Sequence, residues 1–190
     1  MGWLLIAVLL AIAIFGPTIW VRRVMSRHAA DRPDLQGTGG ELARHLLDKF
    51  ELNTVRVAIT EGGDHYDPKT RTVRLSADNH DGRSITAVAV ATHEVSHALQ
   101  HQENYRPFLR RQVIVRAGSL VDSVGSAILF CLSLVGGAVV SPRLLLLGFI
   151  AVIVMGLARV IAQATTLPVE LDASFNRALP ILARDGYLEN

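Results

Sequence analysis

Three long apolar stretches restrict this chain more than any other feature of its sequence. Residues 2–21 contain no charged side chain, and the apolar runs 123–140 and 144–162 are separated only by a short polar break. A helix of about 20 residues, rising about 1.5 Å per residue, crosses the hydrocarbon core of a bilayer. The sequence therefore predicts an N-terminal transmembrane anchor, residues 1–21, and a transmembrane helical hairpin, residues 119–164.

Both membrane assignments have an alternative. A cleaved signal peptide would carry basic residues before its apolar run, whereas here Arg22, Arg23 and Arg27 follow the run, which favours a retained anchor. The second and third runs could instead form a buried hairpin in a soluble core. Their lengths and their small residues favour membrane spans.

The distribution of basic residues predicts the orientation in the membrane. Under the positive-inside rule the N-terminus lies outside, and the two polar parts, residues 22–118 and 165–190, lie in the cytoplasm. The loop left outside carries only Arg143 as a basic residue. We expect the basic run of Arg110, Arg111 and Arg116, which leads into the hairpin, to face lipid headgroups of the inner cell membrane.

Composition limits the classes of partner. Half of the 190 residues are apolar and the net charge is only +2, with no run of Lys and Arg interleaved with aromatic residues. This argues for the lipid bilayer as a partner and against nucleic acid. Cys131 is the single cysteine, so the chain forms no disulfide within itself.

Chemistry is indicated by an H-E-x-x-H motif at residues 93–97. On a helix, residues four apart share one face, so His93 and His97 can offer two imidazole nitrogens to one zinc ion. Glu94 is then placed to accept a proton from the attacking water, as a general base. An accidental match on an exposed helix is the alternative.

The residues around the motif predict a helix from Ile85 to His101, which we call the metal helix. Apolar side chains recur there at helical spacing, and Ser84 or Asp81 could cap the start. The predicted stripe consists of Ile85, Val88, Ala89, Val95 and Leu99. This context supports the metal interpretation of the motif.

The rest of the cytoplasmic part predicts a helix and a small sheet. Residues 41–50 have the apolar spacing of an amphipathic helix capped by Thr38 or Gly39, whereas 55–59 and 72–76 alternate as short strands around a turn. We expect an antiparallel sheet before the metal helix. An exposed edge strand could bind an extended substrate through its main chain, or the sheet could simply cover the metal helix.

A catalytic zinc site needs a third protein ligand and an open position. The metzincin pattern is absent because Glu103 stands where its third histidine would be, and His101 would splay away from an ion held by the first two. The segment after the hairpin offers Glu170 and Asp172, on a helix that Thr166 would cap and Pro168 would begin. Ligand chemistry alone does not rank these two carboxylates.

Four further stretches form a combination far more specific than H-E-x-x-H alone. They are DHYDP at 64–68, TVRLS at 72–76, GRSITAVAVATHEVSHALQH at 82–101 and LPVELDAS at 167–174. On these residues the sequence resembles the YugP-like membrane-bound neutral zinc metallopeptidases, from the anchor to about Leu182.

The resemblance, with a broader similarity to gluzincin proteases, implies Glu170 as the third zinc ligand. Ser174, four residues on, would take a supporting place behind the ligands, and Asp172 is the rival for both roles. Ser96 departs from the glycine usual in the family. Members commonly continue with a further hydrophobic segment, so the number of membrane spans and the oligomeric state are left open.

These features together predict an α+β membrane protein that is mostly helical. Residues 22–118 form a zincin-like catalytic part with a small antiparallel sheet, and residues 165–190 add a C-terminal helix that completes the zinc site. The predicted activity is that of a zinc metalloendopeptidase acting on peptides or proteins. Candidates for contacting the substrate or its oxyanion are His65, Tyr66 and Tyr105.

Two other functions are compatible with parts of the sequence. A site-2-type intramembrane protease would place the H-E-x-x-H helix in lipid, but the run from Ile85 to Leu99 is short and flanked by Asp81, Arg83 and Glu103. A zinc-stabilised membrane scaffold without turnover has no chemical need for Glu94.

Overall fold

The computed structural model describes residues 2–136 and 141–184. The predictions for residues 137–140, the end of the second apolar run, and for the chain end 185–190 lie outside these residues. The chain divides into two compact units: one comprises the described residues up to Leu99 together with those from Arg177 onward, and the other runs from Gln100 to Asn176.

The first unit contains most of the short elements and begins with a long helix. Two further helices flank a three-stranded sheet, and the metal helix follows. These elements are α1 Gly2–Arg27, α2 Gly39–Lys49, β1 Arg56–Ile59, β2 His65–Asp67, β3 Thr72–Leu75, α3 Ala77–His80 and α4 Ile85–Gln102, with α7 Leu179–Arg184 returning from the C-terminal side.

Helix α2 confirms the prediction of an amphipathic helix. Thr38 is its N-cap, and a capping box joins the Thr38 side chain to the Glu41 backbone N–H and the Glu41 carboxylate to the Thr38 backbone N–H. Leu46 and Leu47 are fully buried on its inner face. The helix therefore begins at a strong local signal and is held by its apolar side.

The sheet differs from the antiparallel pair predicted. Strand β3 is central, β1 pairs with it in parallel, and β2 pairs with it antiparallel. The stretch read as a turn contains β2, which joins β3 through a tight turn where Arg71 has a φ of 48°. Strand β2 therefore occupies one side of β3 and β1 the other.

Helix α4 confirms the predicted metal helix, and both its start and the end of α1 are fixed by hydrogen bonds. Ser84 Oγ accepts from the Ala87 N–H at 3.1 Å, so Ser84 is the cap. The Thr86 hydroxyl donates to the Met25 carbonyl at 2.8 Å, and the Thr86 N–H donates to the His28 carbonyl. The carbonyls at the end of α1 thus accept bonds from the first turn of α4.

The buried face of α4 is only partly the predicted stripe. Val88 and Val95 are buried as predicted, but Ala89 is exposed. Small residues such as Ala91 and Ala98 are buried instead. Small side chains and hydroxyls, rather than large apolar groups, therefore form much of the packed surface of α4.

The second unit is dominated by two long helices, α5 Arg106–Gly136 and α6 Pro142–Leu171. Two helical stretches of the described residues are long and apolar enough to cross a membrane, with mean hydropathies of 1.6 and 2.7. Arg159 Nε donates to both carboxylate oxygens of Asp122 at 3.1 Å, which joins α6 to α5. The described residues of the two predicted hairpin runs, 123–136 and 144–162, lie within these helices, while the N-terminal anchor stays a prediction.

The predicted break before the third ligand does not occur. Helix α6 continues through Thr166 and Pro168, and the Thr166 hydroxyl donates back to the Ala162 carbonyl at 2.9 Å instead of capping a new helix. Pro168 has no N–H to bond to the carbonyl four residues earlier, so α6 passes through it with one main-chain hydrogen bond fewer. A π-helix, Asp172–Ala178, comes directly after α6.

Candidate metal centre

Helix α4 brings the two histidines of the motif together. The rings of His93 and His97 are one turn apart, with centroids separated by 4.7 Å and planes inclined at 80°. His97 is 6% exposed and His93 is half-buried. Two imidazoles on one helical face, one of them nearly withdrawn from water, form half of a zinc site.

The polar residues between and beside the histidines keep this part of α4 closely packed. Thr92 and Ser96 are fully buried, and each hydroxyl donates to the carbonyl four residues earlier, at 2.8 Å in both cases. Such bonds satisfy a buried hydroxyl within its own helix. Ser96, the departure from the family's glycine, therefore fits here without an unsatisfied polar group.

Glu94 lies in a largely dry position. Its side chain is next to His93 in sequence and only 7% of the residue is exposed. A carboxylate at such a position loses most of its hydration, so it must interact with other polar groups. A buried carboxylate beside two imidazoles is able to accept a proton and to return it.

Glu170 completes a group of three metal-binding side chains. One ligand atom from each of His93, His97 and Glu170 lies within 4.8 Å of the other two. Zinc bonds of about 2.0–2.2 Å place the ligand atoms of a tetrahedral site about 3.3 Å apart. The donor set, two imidazoles and one carboxylate, is the one that catalytic zinc uses in several hydrolases.

A cation accompanies the Glu170 carboxylate. Arg111 Nη2 is 3.4 Å from Glu170 Oε1, and both side chains are about one-third exposed, 33% and 35%. Arg111 Nε is buried and has no hydrogen-bond partner among the described residues. Arg111 therefore contacts the proposed ligand, and the orientation of the basic run towards lipid headgroups stays a prediction.

Asp172, the rival ligand, is held by other groups. Its Oδ2 accepts from Gln100 Nε2 at 2.8 Å, and its Oδ1 accepts from Asn176 Nδ2 at 3.1 Å. Within the described chain, the metal-binding group contains Glu170 and not Asp172. Ser174 lies in the π-helix, so the α-helical spacing that would put it on the face of Glu170 does not apply from Asp172 onward.

The structure places His65 and Tyr66 on the edge strand β2. His65 is exposed, and its Nδ1 lies 2.8 Å from the Gly63 carbonyl oxygen. Tyr66 is 8% exposed, and burial is the main cause that raises the pKa of its phenol. Tyr66 is therefore part of the buried core.

Tyr105 and His101 lie at the end of the metal helix. Tyr105 is half-buried, and its N–H donates to the Gln100 carbonyl at 2.9 Å. The His101 ring packs against Phe108, with centroids 5.7 Å apart. His101 lies outside the metal-binding group formed by the described residues, as its position along the helix led us to expect.

Two residues of this region were missed as parts of the site. Gln100 bonds to the Val169 carbonyl and Arg111 contacts Glu170 itself, and both contacts join residues that are far apart in sequence. The identity of Gln100 offered one signal, because an amide three residues after His97 on a packed helix requires buried partners.

Comparisons with known proteins agree with this geometry. Residues 3–190 match the model of a family described as "Putative neutral zinc metallopeptidase". The chain is 37% identical over 193 aligned residues to a Bacillus subtilis protein named "Putative membrane protease YugP", with 96% of this chain and 80% of that protein covered. No solved structure matches the chain.

Proposed function

Because the chain belongs to this family of zinc metallopeptidases, we propose that it is a membrane-anchored zinc metalloendopeptidase that hydrolyses peptide bonds. The observation that carries the proposal is the convergence of ligand atoms from His93, His97 and Glu170. Family membership gives the class of activity, and this donor set gives the residues that could hold the zinc ion.

In the proposed mechanism each of four side chains has one role. His93, His97 and Glu170 would hold the zinc, which when bound polarises the scissile carbonyl and makes the attacking water more acidic. Glu94 accepts the proton of the attacking water and returns it to the leaving amine. The low exposure of Glu94, 7%, supports this role because little bulk water can reach a buried carboxylate and exchange the proton that it has accepted.

The carbonyl oxygen that gains negative charge needs a hydrogen-bond donor. His65, Tyr66 and Tyr105 remain our candidates for this donor or for other substrate contacts.

Substrate binding is proposed to use the edge of the sheet. In the order β1-β3-β2 the outer strands β1 and β2 each have one side without a partner strand in the sheet. An extended peptide can add to such an edge through main-chain hydrogen bonds, which makes few demands on its side chains.

The proposed location is the inner cell membrane, with several spans and the active site facing the cytoplasm. The two apolar helical stretches and the relative named as a membrane protease support membrane association. The orientation relies on Arg22, Arg23 and Arg27 at the end of α1 and on the single basic residue, Arg143, at the start of α6.

Replacing the proposed base tests the mechanism directly. We expect Glu94→Gln to abolish hydrolysis of an unfolded protein substrate by the detergent-purified chain while zinc stays bound. Glu103→Gln, at an exposed position just after α4, is the matched control and should keep wild-type activity. Equal turnover by Glu94→Gln and wild type would refute the base, and zinc binding without any turnover by the wild type would favour a scaffold.

A further inference from the structure

Gln100 stands out among the buried polar residues of the metal helix. It follows His97 by three residues on α4, and none of it is exposed. Burial of a side-chain amide costs free energy unless hydrogen bonds replace those with water. A leucine or methionine would fill the same volume without this cost. The hydrogen bonds of the buried amide therefore indicate what Gln100 does.

The hydrogen bonds of Gln100 go to both sides of the proposed third ligand. Its Nε2 donates to the Val169 carbonyl at 2.9 Å and to Asp172 Oδ2 at 2.8 Å. Both distances are those of good hydrogen bonds, and the second is strengthened by the charge of the carboxylate. Glu170 lies between these two partners along the chain.

The segment so clamped is a junction between two kinds of helix. Helix α6 ends at Leu171 and the π-helix begins at Asp172. Side-chain directions change where an α-helix passes into a π-helix, and such places are frequent at functional sites. Bonds from outside the segment can fix which direction a side chain near the junction takes.

We propose that Gln100 is a positioning residue of the metal centre. Its side-chain amide clamps the Val169 carbonyl and the Asp172 carboxylate, and thereby holds Glu170 in the orientation needed to ligate zinc. The same helix then supplies two ligands, His93 and His97, and fixes the third. This inference rests on the proposed function, in which Glu170 is the third ligand.

Zinc affinity of the full chain in detergent tests the proposal. Gln100→Met keeps the volume and the helix propensity but removes both donors, and Gln102→Met makes the same change at an exposed position of the same helix. By competition with a chelator, we expect Gln100→Met to bind zinc about 10–100-fold more weakly than wild type. We expect Gln102→Met to bind zinc like the wild type.

A spectroscopic measurement separates positioning from a general effect on folding. Cobalt(II) in place of zinc gives visible absorption that depends on ligand geometry, and we expect Gln100→Met to change that spectrum while its helical circular dichroism stays native. Gln100→Asn, which keeps the donor but shortens the reach, should give an intermediate affinity and serves if Gln100→Met does not fold.

Two results would overturn the proposal, and neither coincides with failure of the proposed function. A folded Gln100→Met with wild-type zinc affinity and cobalt spectrum would refute the clamp. If Gln100→Met does not fold, wild-type affinity in Gln100→Asn would refute it. In either case a loss of zinc in Glu170→Gln would leave the ligand set intact, whereas wild-type affinity in Glu170→Gln would contradict the ligand set itself.

Discussion

Replacing Gly39 with alanine should destabilise the protein strongly, although alanine is the better helix former. A Cβ at residue 39 would lie 2.1 Å from the Asn79 carbonyl oxygen and 3.0 Å from the Ala87 carbonyl oxygen. A carbon and a carbonyl oxygen in contact are about 3.3–3.6 Å apart, so the start of α2 would have to move by about 1 Å. Ala87 is in the first turn of α4, which couples this contact to the metal helix.

The magnitude follows from two losses and one gain. Forcing an extra methyl group into a packed contact costs about 1–3 kcal/mol, and the shift would strain the 3.0 Å hydrogen bond from the Gly39 N–H to the Gly82 carbonyl. Losing such a buried bond costs about 1–3 kcal/mol, and the helix propensity of alanine returns less than about 1 kcal/mol. We therefore expect a net loss of about 2–5 kcal/mol.

The assay is denaturant unfolding of the full chain in detergent, followed by circular dichroism. Gly118→Ala, on α5, is the matched control. Among the described residues, a Cβ there meets nothing within 4 Å beyond its own stretch of helix, so the stability of this variant should stay unchanged or rise by up to about 1 kcal/mol. Equal stability of Gly39→Ala and wild type would refute the steric reasoning.

Three further predictions concern stability. Leu46→Ala removes a fully buried side chain and should lower the free energy of unfolding by about 2–5 kcal/mol, measured by the same denaturant titration. The Thr70 hydroxyl, 2.7 Å from Asp67 Oδ2, is the main cause that lowers the Asp67 pKa. Thr70→Val should therefore lower the free energy of unfolding above about pH 4, and the difference from wild type should vanish as the pH falls through the lowered pKa of the folded state. A difference that is the same at all pH values would contradict this. Arg159→Leu should lower the midpoint temperature by leaving Asp122 unpaired, and adding Asp122→Leu should restore it; no recovery in the double variant would contradict the pairing.

The elements that the sequence predicted well are those set by local patterns. Helix α4 and helix α2 have a cap and apolar spacing within a single stretch, and the apolar runs of the hairpin are longer than most soluble helices. The sheet was predicted less well because β2 has only three residues and its partner is decided by packing.

The site divides in the same way. The motif residues His93, Glu94 and His97 were identified from spacing, since helix geometry alone brings two of them to one face. Spacing could not choose between Glu170 and Asp172; the resemblance supplied the choice, and the metal-binding group of the described residues contains Glu170. The expected cap at Thr166 failed because its hydroxyl donates back to the Ala162 carbonyl and α6 continues through Pro168 with one main-chain hydrogen bond fewer.

The central claim is that one zinc ion is held by two histidines of the motif and by Glu170. Elemental analysis of the detergent-purified protein tests it, with wild type beside the isosteric variants Glu170→Gln and Asp172→Asn. The account predicts about one zinc ion per chain in wild type and in Asp172→Asn, whose amide oxygen still accepts from Gln100, and a loss of zinc in Glu170→Gln. Zinc lost only in Asp172→Asn, or no zinc in wild type under replete conditions, would contradict it.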